Sequence, residues 1–268
     1  MKFAVIGSPI AHSKSPAMHT AAYRALGLPH SYEALDVSEK NLPEFLRSLK
    51  RGDFQGISVT VPHKVRAFEL ADERAPSTVA VGAANTLVVD ADGKITAHNT
   101  DARALHDELA AHGVARGCRA LVIGSGGAAR AAIVALRDLG AQTIRVLARN
   151  VDSARALNVI TPLEIAALFG SPQFDFDVFV QATSAGMTGA DDGEVVASCI
   201  DWARVSKNAL AYDVIYSPRE TAFLHAAKKS SIAAENGLGM LVRQGAIAFE
   251  LWLGIAPPLD VMRRAIDY

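Results

Sequence analysis

The chain has 268 residues, of which 50% are hydrophobic and 21% charged, and its formal net charge is -1. This is a globular composition, long enough for one large domain or two smaller ones. The near-neutral balance and the lack of a basic run exclude a bulk electrostatic nucleic-acid binder.

The first segment, KFAVIG (2–7), reads as a buried strand. Gly7, Pro9, His12 and Ser13 break the apolar run that begins there, so no secretory leader is expected. PAMHTAAYRALG (16–27) reads as a helix, with Ser15 as its cap, Pro16 at the first helical position and Gly27 as its stop. SYEALDV (31–37) is a second strand and LPEFLRSLK (42–50) a second helix. GISVTV (56–61) alternates apolar residues with Ser58 and Thr60, the pattern of a half-buried strand with its hydroxyls on the less apolar face. HKVRAFELAD (63–72) enters a helix, which leaves Lys64 just beyond that strand. NTLVVD (85–90) and KITAHNTD (94–101) form a hairpin around Asp92-Gly93. Strands alternating with helices imply an α/β layer arrangement.

A second unit starts near Asp101. ARALHDELAAHG (102–113) is an amphipathic helix, and RALVIGSGGAARAAIVALRDLG (119–140) is strand, glycine-rich turn and helix. TIRVLARN (143–150) is the next strand. The stretch from Arg155 to Phe176 shows no evident strand, only a remnant helix in NVITPLEIAAL (158–168). FDVFVQATSAG (176–186) and ALAYDVIYS (209–217) are two more apolar strands, and 238–254 and 258–268 are helical. No apolar stretch reaches the ~18 residues of a membrane span. Cys118 and Cys199 are too few for a disulfide framework and form no metal-ligand cluster, so a reducing, cytoplasmic setting is expected.

The run Gly124-Ser125-Gly126-Gly127-Ala128-Ala129 fits G-x-G-x-x-[G/A]. Alone this is weak in an alanine-rich chain, and a tight strand-to-helix turn is the plain alternative. Here it follows a strand directly and opens a helix, as a dinucleotide-binding turn must. Backbone N–H groups can then approach a pyrophosphate at a helix N-terminus. The next strand ends in Ala148-Arg149-Asn150, with no acid to grip a ribose 2′-hydroxyl. Arg149 can bind a 2′-phosphate instead, which favours NADP over NAD.

Several polar clusters occur in order: Ser13-Lys14-Ser15-Pro16, SVTVPHK (58–64), GAANT (82–86), HNTD (98–101), QATSAGM (181–187), YSPRET (216–221) and Gln244. Together they resemble the shikimate dehydrogenase family over nearly the whole chain. The resemblance implies reversible reduction of 3-dehydroshikimate to shikimate with NADPH. It implies an N-terminal α/β substrate domain (1–101), with C-terminal helices (238–268) returning to it, and an inserted Rossmann-like NADP-binding domain (102–237). The expected cleft lies between the two domains, and the protein is expected to be a monomer or homodimer acting on a small molecule, without nucleic acid or membrane.

By the same resemblance, Ser13 and Ser15 match hydroxyls that hold the substrate carboxylate. Thr60, Asn85 and Gln244 match contacts to the ring hydroxyls and the carboxylate side, and Tyr216 matches a tyrosine near the carboxylate. Lys64 and Asp101 match the catalytic pair. Gly124, Ser125, Gly126, Gly127, Ala128, Arg149 and Asn150 fall on the cofactor side, and Gly237 and Met240 resemble positions lining the nicotinamide. A ketone that takes a hydride becomes an alkoxide, so an ammonium beside it supplies the proton and a carboxylate orients the ammonium. Taken without the family, Lys64 reads as a solvated residue and Asp101 as a cap for the helix from Ala102. His12, His19 and His63 lie nearby and receive no catalytic role.

The chain departs from the family pattern chiefly on the cofactor side. Ala148-Arg149-Asn150 stands where Asn-Arg-Thr is frequent, Ser153 occupies a second basic position with Arg155 two residues on, and Gln181 replaces Asn. On the substrate side Ser58 replaces a frequent Asn and Ala102 a glycine. These departures keep two alternatives in view, a paralogue acting on quinate or aminoshikimate and a non-catalytic NADP-binding sensor.

Overall fold

The computed structural model describes residues 1–49 and 52–267. Lys50 and Tyr268, to which the sequence reading extends two helices, lie outside the described residues. The chain divides into two compact units, Met1–Ala104 with Leu241–Tyr268, and Leu105–Met240.

The first unit runs β1 (Lys2–Gly7), α1 (Ser15–Ala25), β2 (Ser31–Asp36), α2 (Leu42–Leu49), β3 (Gly56–Val59), α3 (Lys64–Leu70), β4 (Glu73–Arg74), α4 (Pro76–Val81), β5 (Thr86–Val89) and β6 (Ile95–His98). Helix α5 (Asp101–Ala111) then carries the chain into the second unit. There follow β7 (Arg119–Ile123), α6 (Gly127–Leu139), β8 (Thr143–Ala148), α7 (Val151–Ala154), a 3-10 turn (Arg155–Val159), β9 (Glu164–Ala167), β10 (Val178–Gln181), α8 (Glu194–Ala197), β11 (Leu210–Asp213), α9 (Ala222–Lys229) and β12 (Ala233–Glu235). Helix α10 (Leu238–Leu253) brings the chain back to the first unit, which ends in α11 (Leu259–Arg264).

The sheet of the first unit has the order β2-β1-β3-β5-β6-β4. It is mixed: β1 is parallel to β2 and β3, whereas β5 is antiparallel to β3 and β6. Helix α2 covers one face because Leu42, Leu46 and Leu49 recur at helical spacing and meet Ala4, Ile6, Ile57, Val59 and Leu87. Burying each such large side chain contributes about 1.5–3 kcal/mol. Aromatic residues fill the other face. The rings of Phe3 and Trp252 stack at 5.1 Å, and Trp252 Nε1 donates to the Leu87 carbonyl at 3.0 Å. A Cβ at Gly56 would lie 2.3 Å from Trp252 Nε1, so only glycine lets the indole rest against β3.

Coverage of both faces corrects the half-buried reading of β3. All four of its residues are buried, and Ser58 is only 7% exposed. The Tyr32 hydroxyl donates to Ser58 Oγ at 2.7 Å, which satisfies the polar side chain inside the core. The strand also stops at Val59, so Thr60 belongs to the turn. The start of α1 is corrected as well. Lys14 stands at the cap, Ser15 is the first helical residue, and Ser13 Oγ accepts the Ser15 N–H at 3.3 Å.

The second sheet is parallel throughout, in the order β12-β11-β10-β7-β8-β9. Read from the other edge this is the doubly wound 3-2-1-4-5-6 order, with a switch point between β7 and β10. Its core includes Leu121, Ile123, Phe179, Ala211, Phe223 and Trp202. The sequence showed no strand between Arg155 and Phe176, yet β9 pairs with β8 from Glu164 to Ala167. It is a short edge strand of mixed exposure, and Arg145 grips Glu164 across the pair. Four alanine-rich residues at an edge carry no burial pattern by which to tell strand from helix. Among the described residues no helix is long and apolar enough to cross a membrane.

Candidate active site

Sheet direction gathers the polar clusters of the first unit. Strands β1 and β3 are parallel, so the loops that follow them leave the same edge, joined where Ser8 N–H donates to the Val61 carbonyl at 3.2 Å. Strand β5 runs the opposite way and therefore begins at that edge, just after Asn85. Strand β6 turns back and ends there, just before Asn99, Thr100 and Asp101. Chain segments remote in sequence thus deliver Ser13, Ser15, Thr60, Lys64, Asn85 and Asp101 to one sheet edge.

Four of the candidate residues are joined by direct bonds. Lys64 Nζ donates to Asp101 Oδ2 at 2.6 Å, with side chains 15% and 6% exposed. Asn85 Nδ2 faces Asp101 Oδ1 at 2.9 Å, Thr100 Oγ1 at 2.8 Å and Gln244 Oε1 at 3.3 Å. Asn85 Oδ1 accepts the Thr100 N–H at 2.8 Å and the Thr86 hydroxyl at 3.2 Å, which fixes the orientation of its amide. Gln244 is steadied by its own helix, Nε2 donating to the Leu241 carbonyl at 2.8 Å. The Lys64 carbonyl accepts the Ala84 N–H at 2.8 Å, locking the start of α3 to the GAANT segment. Such a nearly buried ion pair persists only when its remaining hydrogen-bonding capacity is met, and Asn85 meets it for Asp101.

Asp101 is not the cap of α5. Asn99 takes that task, its Oδ1 accepting the Ala102 N–H at 3.1 Å while its Nδ2 donates to the Ala83 carbonyl at 2.8 Å. Asp101 is left as the first helical residue, its carboxylate turned to Lys64 and Asn85. Ser13 and Thr60 are half-buried and Ser15 is buried. His63 is fully buried with Nε2 2.5 Å from the Val37 carbonyl, and His12 is exposed. His19 is fully buried in an aromatic shell, and its ring lies parallel to Tyr32 at 4.4 Å.

In the second unit the glycine-rich turn follows β7. Gly124 has φ +122°, and a Cβ there would lie 2.9 Å from the Ala182 carbonyl oxygen, so both conformation and the neighbouring strand require glycine. Gly126 differs, because a Cβ on it would meet no protein atom within 4 Å. Gly126 caps the 13-residue α6 without any side-chain bond to the first-turn N–H groups. Open space beside uncapped N–H groups, at the positive end of a helix dipole, fits a pyrophosphate. Ala129, at the third small position, is fully buried against the sheet. Ser125 is exposed, and Gly127 and Ala128 are half-buried at the start of α6.

Arg149, just past β8, is 76% exposed and lies 3.6 Å from Asp191, itself 77% exposed. An ion pair this exposed contributes about 0–1 kcal/mol, so the guanidinium remains available to a ligand anion. Asn150 caps α7, its Oδ1 accepting the Ser153 N–H at 2.9 Å. Gln181, at the end of β10, is buried and folds its amide onto the following turn, donating to the Ala185 carbonyl at 3.0 Å and accepting the Thr183 N–H at 2.5 Å. Tyr216 is half-buried on the turn after β11. Gly237 and Met240 are buried at the start of α10, with Gly237 N–H donating to the Ile215 carbonyl at 3.0 Å.

Sequence reasoning passed over Asn99, Thr100 and Asp213. The N-cap rule points to Asn99, an Asn three residues before the first amphipathic turn. Asp213 is an acid closing an otherwise apolar strand, and it is completely buried. Burial pushes its carboxyl up to about 7, offset in part by bonds from the Thr221 hydroxyl and the Ile215 N–H. Among the described residues no cluster of three or more His, Cys, Asp or Glu is arranged to hold a metal ion.

Two family models match the chain. One, described as the shikimate dehydrogenase substrate binding domain, matches residues 5–87, and the other, the shikimate 5′-dehydrogenase C-terminal domain, matches residues 237–266. A shikimate dehydrogenase (NADP(+)) of Carboxydothermus hydrogenoformans is 38% identical over 268 residues, covering 98% of this chain and 95% of that protein. The crystal structure of shikimate dehydrogenase from Aquifex aeolicus superposes with a TM-score of 0.90 at 31% identity, covering 100% of this chain and 98% of that one. Shikimate 5-dehydrogenase of Thermus thermophilus, crystallised with NADP(H) and shikimate, gives a TM-score of 0.84 at 35% identity over 99% of this chain and 98% of that one.

Proposed function

Because the chain belongs to the shikimate dehydrogenase family, we propose that it catalyses the NADP-dependent, reversible reduction of 3-dehydroshikimate to shikimate, a step toward chorismate and the aromatic amino acids. The observation that carries this reading is the Lys64–Asp101 pair, held at 2.6 Å and bonded on its far side by Asn85. NADPH, when bound, supplies the hydride. Lys64 gives a proton to the ring oxygen on which charge develops, and recovers it in the reverse direction. Asp101 directs Nζ, and Asn85 keeps Asp101 from turning.

The remaining roles follow the family. Ser13 and Ser15 hold the substrate carboxylate with Tyr216, and Thr60, Asn85 and Gln244 contact ring hydroxyls. Residues 1–101 with 238–268 serve as the substrate domain, and residues 102–237 as the NADP domain. The glycine turn from Gly124 to Ala128 takes the pyrophosphate, Arg149 and Asn150 lie at the 2′-phosphate end, and Gly237 and Met240 border the nicotinamide. The protein works in the cytoplasm as a monomer or homodimer. A quinate or aminoshikimate preference is not favoured by the relatives, and a sensor would have no use for the hydrogen-bonded pair.

Steady-state oxidation of shikimate and quinate, each with NADP and NAD, tests the reading. Shikimate with NADP should give the highest kcat/KM of the four. A quinate value equal or higher would remove shikimate as the substrate. Arg149 makes a separate prediction. A hydrogen bond to a charged group contributes about 1.5–3 kcal/mol, so Arg149→Ala should raise the KM for NADP about tenfold or more. The KM for NAD should stay where it was, and an equal rise for both cofactors would place phosphate recognition elsewhere.

A further inference from the structure

We propose that Asp213 is a positioning residue, whose buried carboxylate closes the Val214–Glu220 turn at both ends and so sets the place of Tyr216. The inference rests on the shikimate reading, because it is through Tyr216 that the turn meets substrate. Asp213 Oδ1 accepts the Ile215 N–H at 2.9 Å, two residues on. Its Oδ2 accepts the Thr221 hydroxyl at 2.6 Å, eight residues on. The same Thr221 oxygen accepts the Leu224 N–H at 3.3 Å and caps α9. One side chain therefore fastens the entry of the turn to the helix that ends it.

The turn is also fixed from outside, at the end of β10 and at the start of α10, where Gly237 is expected to border the nicotinamide. Val214 N–H donates to the Gln181 carbonyl at 3.0 Å, which holds the first residue of the turn to the end of β10. A Cβ on Gly237 would lie 2.1 Å from the Val214 carbonyl oxygen, so the glycine lets the start of α10 rest against the turn. Asn236 Nδ2 donates to the Arg219 carbonyl at 3.0 Å while its Oδ1 accepts the Leu238 N–H at 3.0 Å. Tyr216 and Gly237 are thus held by one frame, and the Asp213 carboxylate is its buried fastening. Nothing about the apolar core calls for an acid at this position. A hydrophobic residue would fill the space without the cost of burying a carboxyl, and the two bonds it makes both run to the turn.

The test compares Asp213→Ala, Asp213→Asn, Thr221→Val and Thr221→Ser. Asn retains an acceptor for Ile215 and offers a donor to Thr221, and Ser retains the hydroxyl. Asp213→Ala is expected to raise the KM for shikimate about tenfold and to lower kcat by a similar factor, with the KM for NADP changed less than about threefold. Asn should restore most of the loss. Thr221→Val should reproduce part of it and Thr221→Ser none. In a Tyr216→Phe background the Asp213 change should add little, because it acts through that residue. Amide hydrogen exchange over 214–221 reads the turn without turnover, and protection should fall in the Ala and Val variants. Folded Asp213→Ala with unchanged KM for shikimate would overturn the proposal. If Asp213→Ala does not fold, Thr221→Val with unchanged KM and unchanged protection would overturn it equally. If the unsubstituted protein fails to oxidise shikimate, the parent reading falls. Hydrogen exchange then decides the fastening alone, with retained protection overturning it.

Discussion

Lys64→Ala is expected to lower kcat by about 10²- to 10⁴-fold, the usual scale for losing a positioned proton donor. NADPH affinity, read by the change in nucleotide fluorescence on binding, should not change, since the glycine turn belongs to the other unit. The variant carries a second consequence that a solvated lysine would lack. Asp101, with a side chain 6% exposed, would lose its closest partner. Breaking a buried pair by deleting one member costs about 3–5 kcal/mol, and the 15% exposure of Lys64 places this pair toward the lower end. Adding Asp101→Asn should therefore recover stability without recovering turnover. The pattern separates the two roles: loss of rate follows the missing ammonium, and loss of stability follows the stranded carboxylate. Turnover near that of the parent protein in Lys64→Ala would remove Lys64 from the mechanism.

The sequence carried the second unit well. A strand, a glycine-rich turn and a helix are encoded locally, and the parallel order follows once that unit repeats across a sheet. The Lys64–Asp101 bond could not be read in this way, because 37 positions separate the two and only sheet direction brings them to one edge. The cap of α5 sits two residues earlier than the sequence reading places it. Both Asn99 and Asp101 are residues that cap helices, and the choice between them depends on where the chain leaves β6. Ser58 shows the limit of periodicity. Alternation marks two faces but does not say that the polar one faces water, and here Tyr32 and the aromatic side of α10 cover it. β9 was missed for the opposite reason: an edge strand half open to solvent has no apolar period to display. Asp213 was overlooked because its partners, Ile215 and Thr221, matter only once the turn between them is closed.

His19 makes the protein acid-sensitive by an amount that can be isolated. Its ring is fully buried, among the described residues neither ring nitrogen has a hydrogen-bond partner, and burial lowers its pKa from 6.5 to about 3. The folded state thus keeps it neutral, whereas the unfolded chain takes up a proton below the ordinary value of 6.5. Stability present above that pH is lost progressively as pH falls toward 3, reaching about 3 kcal/mol at pH 4.5 and about 5 kcal/mol in full. Asp213 works against this in the other unit. Its pKa is raised from 3.8 to about 7, so the folded state holds a proton that the unfolded chain releases, and stability falls as pH rises through that window. The two contributions offset each other between about pH 4 and 6.5, so the pH profile of the unsubstituted protein hides both. His19→Phe retains an aromatic ring against Tyr32 and removes only the titration. Relative to the parent, its Tm should rise on going from pH 8 to pH 4.5 by about 6–10 °C, taking a few degrees per kcal/mol for a chain of this size. A difference in Tm that stays constant across that range would show that His19 is not the group that titrates.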